Sequence, residues 1–342
     1  MRVETTRSAG VLRLRHGAGF TTSSDDVVAQ ARPLVAAAGM RAEPVALAVQ
    51  PATAEALAAA LAEVSPDAGL VGAGSLSGGT ASPGGPVPDP PVLLARPDGP
   101  DRSGQTLAAR WARELRALTR ARGGVTVIVE HDGGLDGIDG AFWTEFDAAL
   151  NVALSEVAAT VLCLYPQLPL HLEVAEGSRR NHPLLLIDGA LRHNPAYREP
   201  REVLADRGAP APAVLGPPDR RIAFDTWQLV TVRENVALAA RVAGCDAERV
   251  ADLVLAVNEV ATNAVEHGSG DAHIALWTAP GAREFLCEVH DAGPLADPLP
   301  GLRSPHPSDH RGRGLWIARQ LCDLLHVWGD TAGTHVRIRA LP

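Results

Sequence analysis

LVLAVNEVATNAVEHG, residues Leu253–Gly268, decides how the second half of this 342-residue chain is read. On a helix, at about 100° per residue, Leu253, Val254, Val257, Val260, Ala261 and Ala264 form one apolar stripe. Glu259, Asn263 and His267 advance only about 40° at each step of four, so they share another face. A carboxylate, an amide and an imidazole in line beside Gly268, where the run ends, make more polar structure than a surface helix needs. Taken alone, the segment can still be read more plainly, as a solvated face with a glycine cap.

Three pieces downstream change the balance. HDAGP, residues 290–294, follows an apolar strand and offers Asp291, a carboxylate that accepts from an exocyclic amine, with Gly293 allowing close backbone approach. RGRGLW, residues 311–316, sets Gly312 and Gly314 just ahead of a helix, where free N–H groups and the dipole favour phosphate oxygens. AGTHVRI, residues 332–338, puts Gly333 and Thr334 at a strand entry. Each piece by itself is no more than a turn; their order and context argue against coincidence.

The surrounding pattern supplies a frame. RIAFD reads as a strand, Trp227–Ala243 and Asp246–His267 as helices, HIALW and FLCEVHD as strands, GLWIARQLCDLL as a helix, and HVWGD with THVRIRA as a closing hairpin. Helices on one side of a mixed sheet, an α/β sandwich, follow from that order. Between Ala296 and His310, Pro298, Pro300, Pro305 and Pro307 should keep the chain extended as an unusual lid.

These residues resemble the GHKL (HATPase_c) family, whose ATP-binding domain has the Bergerat fold. Glu259, Asn263, His267 and Gly268 look like its N box, Asp291 and Gly293 like the G1 box, Gly312, Arg313, Gly314 and Leu315 like the G2 box, and Gly333 and Thr334 like its last motif. The short domain, residues 221–342, without phospho-acceptor helices, is most similar to anti-sigma-factor serine kinases. The resemblance implies ATP and Mg²⁺ as cofactors, with Asn263 holding the metal, Asp291 reading adenine and the Gly312–Leu315 turn covering the phosphates. It makes Glu259 the general base on an incoming serine hydroxyl, a role that suits a carboxylate set beside a γ-phosphate. It also implies a protein partner, an anti-sigma-factor antagonist with a sigma factor as a second candidate, and kinases of this kind often form homodimers through this domain. Pro294 and Leu295 stand where the family has a second glycine, a departure that bears on nucleotide affinity more than on fold.

In the first half, short apolar runs at Pro44–Val49, Val92–Ala95, Val125–Val129, Val161–Leu164 and Leu184–Ile187 alternate with helical stretches. Those stretches are Asp25–Ala38, with Pro33 an awkward interior breaker, Thr53–Val64, Leu107–Thr119 and Phe142–Val157. The alternation predicts a three-layer α/β domain with a mainly parallel sheet covered on both faces. After Val49 the chain reads QPATAEA, with no phosphate cradle. Ser65–Pro91 reads as a flexible loop, HDGGLDGIDG as a plain turn without EF-hand spacing, and residues 201–220 as a Pro/Ala/Gly-rich linker. Residues 11–200 resemble the MEDS sensory domain, on His16 and Phe20 ahead of a Ser/Asp-rich helix start, EPVALAVQP, ALNVAL, LCLYP and NHPLLLIDG. Phe20 in place of a frequent tyrosine and VIVEHDGG in place of a Gly-Glu-Pro segment are departures, and the resemblance names no ligand.

Composition excludes several chemistries. All 31 basic side chains are arginine, so Schiff-base and P-loop lysine chemistry is absent. A net charge of −9 without a basic run argues against nucleic acid as a partner. No apolar run is long enough for a membrane helix, and MRVETTRSAG carries no signal peptide, so a cytoplasmic protein is expected. Cys163, Cys245, Cys287 and Cys322 lie far apart in apolar stretches and read as reduced core thiols. His171, His182 and His193 are spaced too irregularly for a metal site to be read from them. The expected function is a cytoplasmic regulator in which a sensory half controls a serine/threonine kinase with anti-sigma-factor-like activity. The alternative is a non-catalytic, nucleotide-gated module that sequesters a protein partner. A histidine kinase fits poorly, because the prolines of the linker replace a helical hairpin and His193 beside Asn194-Pro195 is a poor phospho-acceptor.

Overall fold

The computed structural model describes residues 14–64, 91–96, 103–131, 141–167, 172–205, 211–278, 283–306, 308 and 312–342. The loop expected up to Pro91 lies outside them except for Pro91 itself, as do the turn after His131, His171, and Pro307 and His310 of the expected lid.

The first sheet has seven strands, β1 (Leu14–Thr21), β2 (Val45–Ala48), β3 (Val92–Leu93), β4 (Val125–Glu130), β5 (Ala159–Pro166), β6 (Leu184–Ile187) and β7 (Ala190–His193), in the order β3-β2-β4-β5-β1-β6-β7. Every pairing is parallel except the β6–β7 hairpin. β2 and β4 are buried along their whole length, as strands covered on both faces must be. On one face α1 (Ser24–Met40) and α2 (Pro51–Val64) set Val35 and Leu57 against Leu47 and Ile128. On the other, α3 (Gly104–Arg122) and α4 (Ala141–Ala153) pack Trp111 edge-on to Phe146 over Val127 and Val161. The expected three-layer α/β architecture is therefore present.

α1 runs through Pro33, which lies on its exposed side, where water can take the carbonyl left without an N–H donor. Four elements were not anticipated: β1, β7, α5 (Leu172–Asn181) and α6 (Pro200–Ala205). β1 reads LRHGAGFT, and its two glycines and histidine hide a central strand. α6 begins where the linker was expected and buries Val203 and Leu204.

The second sheet has five strands, β8 (Arg220–Phe224), β9 (Ala272–Trp277), β10 (Phe285–Asp291), β11 (Leu324–Asp330) and β12 (Gly333–Ala340), in the order β11-β12-β10-β9-β8. All its pairings are antiparallel, where a mixed sheet was expected. α7 (Leu229–Val242), α8 (Ala247–His267) and α9 (Gly314–Leu321) cover one face, with Val236, Leu253 and Val257 in one core with Ile274, Val289 and Ile338. This is the α/β sandwich. The helix expected to continue to Leu325 stops at Leu321, because Leu324 and Leu325 pair with Arg339 and Ile338 in the closing hairpin. No described helix is long and apolar enough to cross a membrane. The four cysteines are free thiols, three of them buried.

The two halves meet at the free edge of β11, where a strand would otherwise leave unpaired backbone groups. The start of α3 covers it. Gln105 Nε2 donates to Val327 O at 2.9 Å, Thr106 Oγ1 donates to Leu325 O at 3.0 Å, and Leu325 N donates back to the same hydroxyl at 3.1 Å. Arg319 on α9 is buried in this seam, donating to Gln105 Oε1, Leu325 O and Pro300 O. Glu145 of α4 holds the other end, accepting from Gly104 N and Gln105 Nε2, each at 2.8 Å.

Candidate functional site

Asp246 caps α8, its side chain accepting from Arg249 N at 2.8 Å, and the expected apolar stripe is buried except for Val254, which is partly buried. That burial turns the opposite face outward. Asn263 and His267 line a cavity of about 400 Å³, within the size of small-molecule sites. Asp291, Gly312, Gly314, Leu315 and Thr334 line it too. Four sequence segments separated by up to 71 positions, from Asn263 to Thr334, thus meet around one space.

Asp291 ends β10 at the floor of the cavity. Its Oδ1 accepts from Gly293 N at 2.8 Å, which leaves Oδ2 to accept from a ligand. Burial raises its pKa above the usual carboxylate value. Gly268, Gly293 and Gly333 do not line the cavity. They crowd Asp291 instead: a Cβ on Gly268 or Gly293 would stand 2.9 or 2.8 Å from Oδ1, and one on Gly333 only 2.0 Å from Asp291 O. Their small size lets the carboxylate sit between the end of α8 and the β12 entry. Thr334 Oγ1 donates to Gly293 O at 2.9 Å and so fixes the turn beside the carboxylate.

At the opposite end is the start of α9. No side chain caps it, so its first N–H groups are available at the cavity, where the helix dipole favours an anion. Glu259 stands against this turn: a Cβ on Gly314 would come within 2.5 Å of Glu259 Oε2. Glu259 is not among the residues lining the cavity, and neither is Arg313, whose Nη2 donates to His306 O at 3.3 Å. Between the two polar ends, Val260, Val289, Leu295 and Val327 give an apolar slot.

The lid supplies a wall that sequence reading did not assign. Leu295, Ala296, Asp297, Pro300 and Gly301 line the cavity, while Leu299 and Leu302 of the same loop are 1% and 2% exposed and belong to the core of the N-terminal half. Asp297 pairs with Arg201 of α6 through two 2.9 Å hydrogen bonds, and Arg303 pairs with Glu156 at 2.6 Å. Gly301 turns the loop with φ of 69°, and a Cβ there would meet Leu315 at 2.7 Å. The Pro300-Gly301 pair was the available signal for that turn, and the spacing of Leu299 and Leu302 for a buried anchor.

An acceptor carboxylate at one end, an uncapped helix start at the other and an apolar slot between them suit a nucleotide, and they sit on an α/β sandwich. Residues 222–340 match the family described as the histidine kinase-like ATPase domain, and this part of the chain is a domain of that GHKL type. A search of curated proteins finds no match to the chain.

Proposed function

We propose that this protein is an ATP-dependent signalling regulator whose C-terminal domain transfers the γ-phosphoryl group of ATP to a serine or threonine of a partner protein. The observation that carries the reading is the meeting of Asn263, Asp291 and Gly314 around one cavity in a domain of the ATPase family. In this scheme Asp291 Oδ2 accepts from the adenine amine and the α9 start receives phosphate oxygens. Asn263 is the ligand for Mg²⁺, which neutralises phosphate charge when bound. Glu259, beside Gly314 at the phosphate end, orients the incoming hydroxyl and takes its proton. The partner class, an anti-sigma-factor antagonist or a sigma factor, rests on the resemblance of the four motifs to anti-sigma-factor serine kinases, and a homodimer rests on the same ground. The MEDS-like half acts as the sensory input, supported by its hold on the lid through Leu299, Leu302 and the Arg201–Asp297 pair.

A second reading, the nucleotide-gated module that sequesters a partner without phosphorylating it, draws support from Glu259 lying outside the cavity lining. Titration of the full-length chain with ATP and ADP, with and without Mg²⁺, tests what the two readings share. Magnesium-dependent binding that weakens at least about tenfold in Asp291→Ala, the loss of one hydrogen bond to a charged group, is the expected result. A folded chain that binds neither nucleotide defeats both. Phosphate appearing on a partner serine separates the first reading from the second.

A further inference from the structure

The N-terminal half contains a second polar site, remote in sequence from the nucleotide cavity. His16 on β1, Asp147 on α4, Cys163 on β5 and His182 after α5 are all buried, and one donor atom from each lies within 4.8 Å of the other three. The register of β1 on β5 pairs Ala18 with Cys163, which puts His16 and Cys163 on the same sheet face, toward α4.

Hydrogen bonds fix which atoms point inward. His182 Nδ1 lies 2.6 Å from Ser178 O, and a carbonyl only accepts, so that nitrogen carries the proton and Nε2 carries the lone pair. Asn151 Nδ2 donates to Asp147 O at 3.1 Å and to Asn181 O at 2.6 Å, so its Oδ1 faces His16 Nδ1 at 3.0 Å as acceptor. His16 Nε2 therefore also presents a lone pair, 3.4 Å from Cys163 Sγ. Asp147 Oδ2 accepts from Tyr165 OH, which leaves Oδ1. His182 Nε2 and Asp147 Oδ1 stand 3.9 Å apart, and neither has a hydrogen-bond partner among the described residues. Two buried acceptors face each other with no donor between them, while His16 Nδ1, His182 Nδ1 and Asp147 Oδ2 each have an outward partner.

We propose that His16 Nε2, Asp147 Oδ1, Cys163 Sγ and His182 Nε2 bind one zinc ion in a closed tetrahedral site. Zinc takes imidazole, thiolate and carboxylate ligands at about 2.0–2.3 Å, which sets tetrahedral donors about 3.3–3.8 Å apart, so side-chain shifts of about 1 Å complete the sphere. A thiolate and two imidazoles disfavour magnesium or calcium. One thiolate and one carboxylate balance the charge of a divalent cation. Outward bonds from both imidazoles to a carbonyl and an amide oxygen are the usual supports of metal-binding histidines. The four positions are spread over 166 residues, which is why the histidine and cysteine spacings gave no sign of them.

The test uses the untagged full-length chain, assayed for metal as purified, then stripped with chelator and titrated with Co²⁺ followed by Zn²⁺. One zinc per chain is expected, with one equivalent of Co²⁺ giving tetrahedral visible bands and a thiolate charge-transfer band that Zn²⁺ removes. Cys163→Ser should lose the charge-transfer band, and Asn151→Ala, which frees the His16 ring, should weaken Co²⁺ binding about 10- to 100-fold. If Cys163→Ser does not fold, the unaltered chain decides, because the other three cysteines lie in the C-terminal half. A stripped chain that keeps its circular dichroism but shows no thiolate band with Co²⁺ overturns the proposal. So does stoichiometric iron or copper in place of zinc, or a charge-transfer band that survives in Cys163→Ser.

Discussion

Helices α4 and α8 carry similar sequence patterns and face opposite environments. Both place polar side chains four residues apart beside an apolar stripe: Asp147 and Asn151 on α4, Glu259, Asn263 and His267 on α8. On α8 those residues are half-buried or exposed, beside an open cavity. On α4 they are fully buried, together with Glu145. Water can satisfy the α8 face whether or not a ligand is present, so its polar groups are cheap to keep. Buried groups on α4 must find partners inside the protein. Glu145 finds them at the seam between the halves, whereas Asp147 finds Tyr165 OH for one oxygen and turns the other toward the histidine and cysteine cluster. Polar residues beside an open pocket can thus be satisfied one at a time by water, whereas buried ones depend on one another for partners.

The largest effect expected from that contrast is at Glu259. Glu259→Ala should lower phosphoryl transfer to a partner serine by about 10²- to 10⁴-fold, the usual contribution of a general base, with ATP affinity changed no more than a few-fold. Single-turnover transfer and a parallel binding titration measure the two quantities separately. Transfer that persists in the variant would remove the base role and leave Glu259 as a packing group against Gly314.

Next is the lid, where the open cavity and the closed core share one loop. Leu299→Ala removes a side chain that is 1% exposed in the core of the N-terminal half and should cost about 2–4 kcal/mol in a denaturant titration. Because Asp297, Pro300 and Gly301 of the same loop line the cavity, ATP affinity should shift as well. Unchanged affinity in a destabilised variant would show that lid and cavity are not coupled. Gly301→Ala acts on the same loop from the cavity side. A positive φ of 69° and a 2.7 Å approach to Leu315 predict a loss of about 1–3 kcal/mol.

How far each region could be read from sequence follows the same division. The cavity was legible because its chemistry lies on one helix face and three short turns, each with its own local pattern, and the structure brings Asn263, His267, Asp291, Gly312, Gly314, Leu315 and Thr334 together. Parallel strands buried on both faces were legible as continuous apolar runs. β1 was not, because close packing of Gly17 and Gly19 against Leu191 and Leu164 requires residues that read as loop. Gly268 was read as the end of a helix, Gly293 as backbone near a ligand and Gly333 as a strand entry; the structure packs the first two against the Asp291 side chain and the third against its carbonyl. Nothing local marks the seam, where Gln105 meets Val327 across 222 positions, or the buried cluster of α4. Contacts of that range depend on topology, and one sequence carries no pattern for them.

The far face of the second sheet is an intermediate case, polar and only half buried, and the smallest effect is expected there. His335 Nδ1 lies 3.4 Å from Glu288 Oε1, and its Nε2 lies 3.2 Å from Asp330 Oδ1. Burial alone would lower its pKa, but hydrogen bonds and attraction from the two carboxylates outweigh burial and raise it above 6.5. The folded state therefore holds the proton more tightly than the unfolded chain. The resulting stability is fully present below 6.5 and is lost as pH rises through the higher folded value. Nearby His273, brought down to about 4 by burial and by Arg221, has the opposite slope, destabilising the fold as pH falls through 6.5. Only the difference between the parent chain and His335→Gln isolates the pair. Between about pH 8 and pH 6 the parent should gain up to about 1 kcal/mol relative to the variant, with less at high salt, because water screens a half-exposed ion pair. A difference that does not depend on pH would mean that the imidazole has the same pKa folded and unfolded, and that Glu288 and Asp330 give its charged form no net stabilisation.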